Sequence, residues 1–144
     1  MKKIFIGSDH AGVKLKKLLI QRFSSEFEFI DLGTHSEESV DYPDFAKEVA
    51  LNVLSAPGSF GIVICGTGIG VSITANRFKG IRCALCTNSL MAKLSRMHND
   101  ANILALGARI IGEELACEIF SVWINTEFQG GRHRRRINKI EEVI

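Results

Sequence analysis

The stretch Gly61-Ile62-Val63-Ile64-Cys65-Gly66-Thr67-Gly68-Ile69-Gly70-Val71-Ser72 changes character at its midpoint. Its first half is a β-branched run without polar alternation, the pattern of a strand buried on both faces of a parallel sheet. Its second half is a turn with almost no side-chain bulk, after which a helical pattern resumes at Val71. A glycine-lined passage from strand end to helix start presents unpaired backbone N–H groups beside the positive end of a helix dipole, a place that holds negative charge. Cys65, the last strand-like residue, stands at its mouth, where the same groups favour the nucleophilic, proton-accepting thiolate. A small apolar residue closing a buried strand is the plainer role for a free cysteine, and the turn alone leaves both open.

The turn is not a common nucleotide loop. A Walker A loop requires a lysine after its glycines, and none follows until Lys79. A dinucleotide fingerprint requires a sixth-position glycine on the first strand, whereas here Val71 stands there after an internal strand. A small anionic substrate is favoured over ATP or NAD.

Outward from this turn, strand-like runs over residues 3–7, 27–32, 61–65, 81–86 and 103–106 alternate with helical patterns. The first helix places Val13, Leu15, Leu18, Leu19 and Phe23 at apolar spacing, with Lys14, Lys16 and Lys17 expected in solvent. Pro43 opens the second helix and Pro57-Gly58 ends it. The third runs from the glycine turn to about Phe78, and the fourth, capped by Asn88 or Ser89, stops near His98-Asn99-Asp100. The fifth carries Leu115, Ile119, Phe120 and Trp123 on one side. Such alternation predicts a three-layer αβα sandwich around a Rossmann-like five-stranded parallel sheet.

With 46% hydrophobic and 24% charged residues over 144 positions, the chain reads as one globular domain, residues 1–144. A net charge of +2 is too small to imply nucleic acid, and nothing resembles a secretory leader or a membrane span. The four cysteines are expected to be reduced in a cytoplasmic protein. Cys83 and Cys86 form a lone C-x-x-C, but on a strand their sulfurs point to opposite faces, which disfavours a metal.

Parallel α/β sheets bind ligands beyond the carboxyl ends of their strands. Asp9-His10, Cys65-Gly66-Thr67 and Arg109 all fall at or just past such ends, so they should converge on one rim. Asp9 is also a good helix cap, and His98 can serve simply as a histidine complementing a helix dipole. The basic run Arg132-His133-Arg134-Arg135-Arg136 continues into an amphipathic pattern through Ile137, Ile140, Val143 and Ile144. Arg132 and Arg136, four apart, share a helical face suited to a phosphate.

Six motifs in order, GSDHAG (7–12), DYPD (41–44), CGTGIG (65–70), RMHND (96–100), LALGAR (104–109) and GGRHRRRI (130–137), make the chain resemble the type B ribose-5-phosphate isomerase family, which includes the galactose-6-phosphate isomerase subunits. The resemblance implies an aldose–ketose isomerisation through an enediol, without nucleotide or metal. Ribose 5-phosphate and ribulose 5-phosphate are its expected pair, with a hexose 6-phosphate such as allose or galactose 6-phosphate the alternative. It makes Cys65 the base that moves a proton between C2 and C1, Thr67 the residue that positions or activates the thiol, and His98 the acid that opens the furanose ring. The backbone from Gly66 through Gly68 and Ile69 to Gly70 would cradle the enediolate oxygen. Asp9 and Asn99 would hold sugar hydroxyls, Tyr42 would line the sugar, and His10, Arg109, Arg132 and Arg136 would bind the phosphate. Arg134 and Arg135 are extra basic residues, expected to be exposed.

The resemblance also implies a homodimer, possibly pairing into a tetramer, with active sites at the interface. The C-terminal helix is then expected to extend to the partner subunit and supply Arg132 and Arg136 in trans. Two other classes fit less well: a flavodoxin-like module lacks an aromatic loop to clasp a flavin, and a nucleic-acid binder has only one short basic segment to work with.

Overall fold

The computed structural model describes residues 1–143; Ile144, expected on the apolar side of the last helix, lies outside the described residues. Strands β1 (Lys3–Ser8), β2 (Glu28–Asp31), β3 (Phe60–Cys65), β4 (Cys83–Leu85) and β5 (Ile103–Gly107) form one parallel sheet. Its order is β2-β1-β3-β5-β4. The helices are α1 (Val13–Phe23), α2 (Tyr42–Ser55), α3 (Ile69–Ala75), α4 (Ser89–Asn99), α5 (Glu113–Asn125) and α6 (Arg132–Glu141). This is the αβα sandwich that the alternation of patterns predicts.

The order of the strands decides which helix covers which face. The chain steps outward from β1 to β2, crosses back to β3, jumps over one place to β4 and returns to β5. Right-handed crossovers in opposite directions put their helices on opposite faces. Accordingly α1, α4 and α5 pack on the face carrying Ile4, Ile6, Ile62, Ile64, Leu104 and Leu106. Helices α2 and α3 pack on the face carrying Phe5, Val63, Cys65, Ile103 and Ala105. Both faces are buried, which is why the central strands show no alternation. Each such isoleucine or leucine contributes about 1.5–3 kcal/mol by leaving water.

Several local readings change. Lys16, expected in solvent, is fully buried, and its Nζ meets Asp31 Oδ1 at 2.5 Å. The alternation of α1 is polar there because a buried cation pairs with the end of β2. Helix α3 stops at Ala75 rather than near Phe78, because the Asn76 side chain both donates to the Cys83 carbonyl and accepts from its N–H. The edge strands β2 and β4 are shorter than their apolar runs. As expected, Cys83 and Cys86 face opposite sides of the sheet.

The last helix does not stand free of its own chain. Ile137 is buried, and Glu141 ties the helix down by an ion pair to Arg82 at 2.7 Å and by accepting the Gly80 N–H at 3.0 Å. On the side expected to face a partner, Ile140 and Val143 remain exposed.

Candidate active site

Four segments meet at the carboxyl edge of the sheet, beside the β1–β3 boundary where the strand order reverses. The central piece is the turn after β3. Gly68 takes a left-handed backbone, φ 80°, and its N–H donates to Cys65 Sγ at 3.2 Å. A side chain at Gly68 would lie 2.9 Å from the Leu106 carbonyl carbon, and one at Gly107 would run into the Thr67 backbone. These two glycines let the turn close onto the end of β5 and hold the sulfur beneath it. Ile69 N–H donates to Thr67 Oγ1 at 3.1 Å, fixing the hydroxyl at the turn's outer side. The first-turn amides of Gly70 and Val71 have no acceptor among the described residues, Val71 being fully buried and Gly70 partly so.

The other rim residues are set around this turn. Arg109 N–H donates to Gly66 O at 2.9 Å, and its guanidinium lies over Gly66, Nη1 standing 3.2 Å from where a Cβ would be. The Tyr42 ring covers Gly70, where a Cβ would sit 2.5 Å from Cε1. Asp9 is buried and its Oδ1 accepts from Ala11 N–H at 3.0 Å, so the capping role is real, and it coexists with a place on the rim. His10 Nδ1 accepts the Val40 N–H at 3.2 Å, which leaves Nε2 as the nitrogen able to donate. Asp9, His10, Tyr42, Cys65, the residues Gly66 to Gly70 and Arg109 thus converge, as expected.

His98, Asn99, Arg132 and Arg136 do not join them within one chain. Helix α4 starts past the carboxyl end of β4 and runs down to the amino edge, where Arg82 Nε donates to the carbonyls of Asn99 and Asp100 at 3.1 Å. Between that edge and Cys65 lies the length of β5, about 13 Å of extended chain. The start of α6 sits at this same amino edge, because the His133 ring stacks on His98 with centroids 4.4 Å apart and planes 16° from parallel. Arg132 and Arg136 are exposed on α6. Arg134 and Arg135 are exposed too, Arg134 lying over the Phe128 ring at 4.8 Å. One chain therefore carries two half-sets of groups on opposite edges.

His133, within the basic run but not among the expected site residues, is buried at 7% exposure among arginines. Its signal was the four-residue step to Ile137, which puts both on the inward side of α6. Burial first, and then the charges of His98, Arg132 and Arg136, hold its imidazole below the ordinary histidine value. Arg96, likewise not among the expected site residues, is buried with its guanidinium against Phe60 and Trp123. Arg96 bonds the Thr126 and Ala101 carbonyls and Asp100, fixing the end of α4.

The other thiols are unsuited to chemistry. Burial pushes all three up, Cys86 to about 11, and Cys83 and Cys117 in the same direction. A groove of about 530 Å³ lies under the edge strand β4, lined by Phe78, Arg82, Cys83, Asn99 and Ile140 among others. Its walls are mostly apolar and its thiol is one held protonated, so volume does not mark the chemistry here.

The fold and rim define a class: a parallel α/β protein with a thiol and a glycine turn at the carboxyl edge of its sheet. Comparison with known proteins makes this specific. A family model described as Ribose/Galactose Isomerase matches residues 4–140. The ribose-5-phosphate isomerase B of Escherichia coli is 46% identical over 99% of this chain and 97% of its own length. The structure of ribose-5-phosphate isomerase B from Clostridium thermocellum is 56% identical, covers 98% of this chain and 96% of that one, and superposes with a TM-score of 0.96. That of the Mycoplasma genitalium protein, with bound ribulose 5-phosphate, is 40% identical, covers 97% and 94%, and has a TM-score of 0.93. The chain belongs to the ribose/galactose isomerase family. Among the described residues no helix is long and apolar enough to cross a membrane.

Proposed function

We propose that this chain is an aldose–ketose isomerase interconverting ribose 5-phosphate and ribulose 5-phosphate. The observation that carries the reading is Cys65, whose sulfur accepts the Gly68 N–H beneath the glycine turn, with Arg109 lying over Gly66. His98 protonates the ring oxygen while the anomeric hydroxyl gives up its proton to water, which opens the furanose to the C1 aldehyde. The Cys65 thiolate then takes the proton from C2, leaving an enediolate whose oxygen is met by the turn amides. The resulting thiol returns the proton to C1 while the C2 hydroxyl proton passes to the C1 oxygen, leaving a C2 ketone and a C1 hydroxyl. Thr67, fixed by the Ile69 N–H at the outer side of the turn, positions or activates the thiol, Tyr42 lines the sugar, and Asp9 and Asn99 bind its hydroxyls. His10, through Nε2, and Arg109, Arg132 and Arg136 bind the phosphate.

Because the two half-sets lie on opposite edges of one chain, this chemistry requires a second copy. In the proposed homodimer, α4 and α6 of one subunit bring His98, Asn99, Arg132 and Arg136 to the Cys65 rim of the other. Ile69, Ile73 and Leu90, all more than half exposed near that rim, supply apolar surface for the contact. A cytoplasmic location, where thiols stay reduced, suits a reaction that needs a free Cys65.

The test is the purified protein, without added metal or nucleotide, on ribose 5-phosphate, allose 6-phosphate and galactose 6-phosphate side by side. Turnover greatest on ribose 5-phosphate supports the reading. Preference for a hexose 6-phosphate moves it to the alternative substrate, and inactivity on all three ends it.

A further inference from the structure

His98 is the group assigned to ring opening, yet among the described residues nothing polar fixes its ring. Among the described residues neither of its nitrogens has a hydrogen-bond partner, whereas His10 is held by the Val40 N–H. Rotation of an imidazole about its last side-chain bond is broad and shallow, so an unrestrained ring presents its N–H over a wide arc. Proton transfer to a ring oxygen needs the donor within hydrogen-bond reach and well aligned.

The contact that narrows this arc is the His133 ring, face to face with His98 at 4.4 Å and 16°. His133 is itself well placed to act as a fixed plate. It is buried, it shares the inward side of α6 with Ile137, and Glu141 anchors the far end of that helix. The charged groups that bear on it are His98, Arg132 and Arg136, all cations or potential cations that disfavour its protonation. The carboxylates at the ends of α4 and α6, Asp100 and Glu141, are engaged with Arg96 and Arg82.

We propose that His133 is a positioning residue for ring opening: its flat stacked face fixes the plane in which His98 meets the furanose oxygen. The inference rests on the isomerase reading and adds a role for a residue that need not touch the sugar.

The test compares His133→Leu, which fills the space without a flat ring, with His133→Phe, which restores one without a titrating group. Each is assayed in both directions, because ribulose 5-phosphate carries its phosphate on the C5 oxygen and cannot close a furanose. His133→Leu is expected to lower kcat on ribose 5-phosphate roughly tenfold with KM unchanged, while consumption of ribulose 5-phosphate stays near the wild-type rate. His133→Phe is expected to recover the forward rate to within about threefold. In NMR spectra the carbon-bound protons of His98 should keep their ring-current shift in the phenylalanine variant and lose it in the leucine variant.

A phenylalanine variant as poor as the leucine one overturns the proposal. So does a KM raised in both directions, the mark of a phosphate ligand, and so do His98 signals indifferent to His133→Leu. If the wild type turns over no ribose 5-phosphate, the isomerase reading falls by itself, and the His98 signals still decide the stack.

Discussion

Cys65 is the only one of the four cysteines whose sulfur accepts a backbone N–H among the described residues; Cys86, by contrast, points its thiol toward the Ala84 carbonyl. A thiolate acts on a carbon-bound proton only after the sugar is seated, so Cys65→Ala should abolish isomerisation while calorimetry finds ribose 5-phosphate binding nearly unchanged. Loss of binding in step with activity would make the cysteine structural. His98→Asn should separate the two directions instead, depressing turnover of cyclic ribose 5-phosphate by roughly a hundredfold or more and sparing open-chain ribulose 5-phosphate. Equal losses would remove the ring-opening role. His133 gives a prediction in pH. A histidine depressed in the folded state takes up its proton more readily when unfolded. Its contribution to stability is therefore complete above the ordinary value of about 6.5 and is lost as the pH falls from there through the folded value. Denaturant melts between neutral and mildly acidic pH should show wild-type stability falling more steeply than that of His133→Phe, and parallel slopes would discard this coupling.

At the scale of elements, the buried Lys16–Asp31 pair shows where a periodicity argument stops. Lysine at that position reads as solvent face, since lysine is almost never fully buried without a partner, and the partner lies fifteen residues away across a strand. Asp31 also accepts the Gly33 N–H at 2.9 Å, so one carboxylate joins α1 to the exit of β2. Asp31→Ala should cost about 3 kcal/mol by stranding the ammonium, whereas Lys16→Met combined with Asp31→Ala should recover much of that loss. A double variant no more stable than the single one would contradict the pairing. The rim was legible because it depends on local chemistry: strand ends, glycines and a thiol within one short stretch. The opposite edge was less so, since Arg82 meeting Glu141 and His98 meeting His133 are contacts across 59 and 35 positions that no local pattern encodes. The sandwich itself was legible from the strand–helix alternation, while the ends of β2, β4 and α3 were not. Those ends are set by side-chain competition such as Asn76 pairing with Cys83.

For the whole molecule, the opposite placement of the two half-sets determines which defects can compensate for one another. In the proposed dimer each site takes Cys65 and Arg109 from one subunit and His98, Asn99, Arg132 and Arg136 from the other. Mixing Cys65→Ala with the Arg132→Ala and Arg136→Ala double variant, under conditions that exchange subunits, produces mixed dimers with one doubly defective site and one intact site. Random two-fold pairing then restores roughly a quarter of all sites. The fold adds a sharper requirement, because His98 rides on the same edge as the arginines through its stack on His133. Cys65→Ala should therefore also be rescued by His98→Asn to about a quarter of wild-type activity. His98→Asn mixed with the double arginine variant should not recover at all, since each site draws both groups from one subunit and always meets one of the two defects. Subunit exchange is verified by mass labelling before the rates are compared. Failure of both cysteine mixtures would place the whole site within one chain, and rescue between His98→Asn and the arginine variant would separate the histidine from α6. The observed pattern of three mixtures thus reports directly on whether the two edges of this sheet face each other across a two-fold axis.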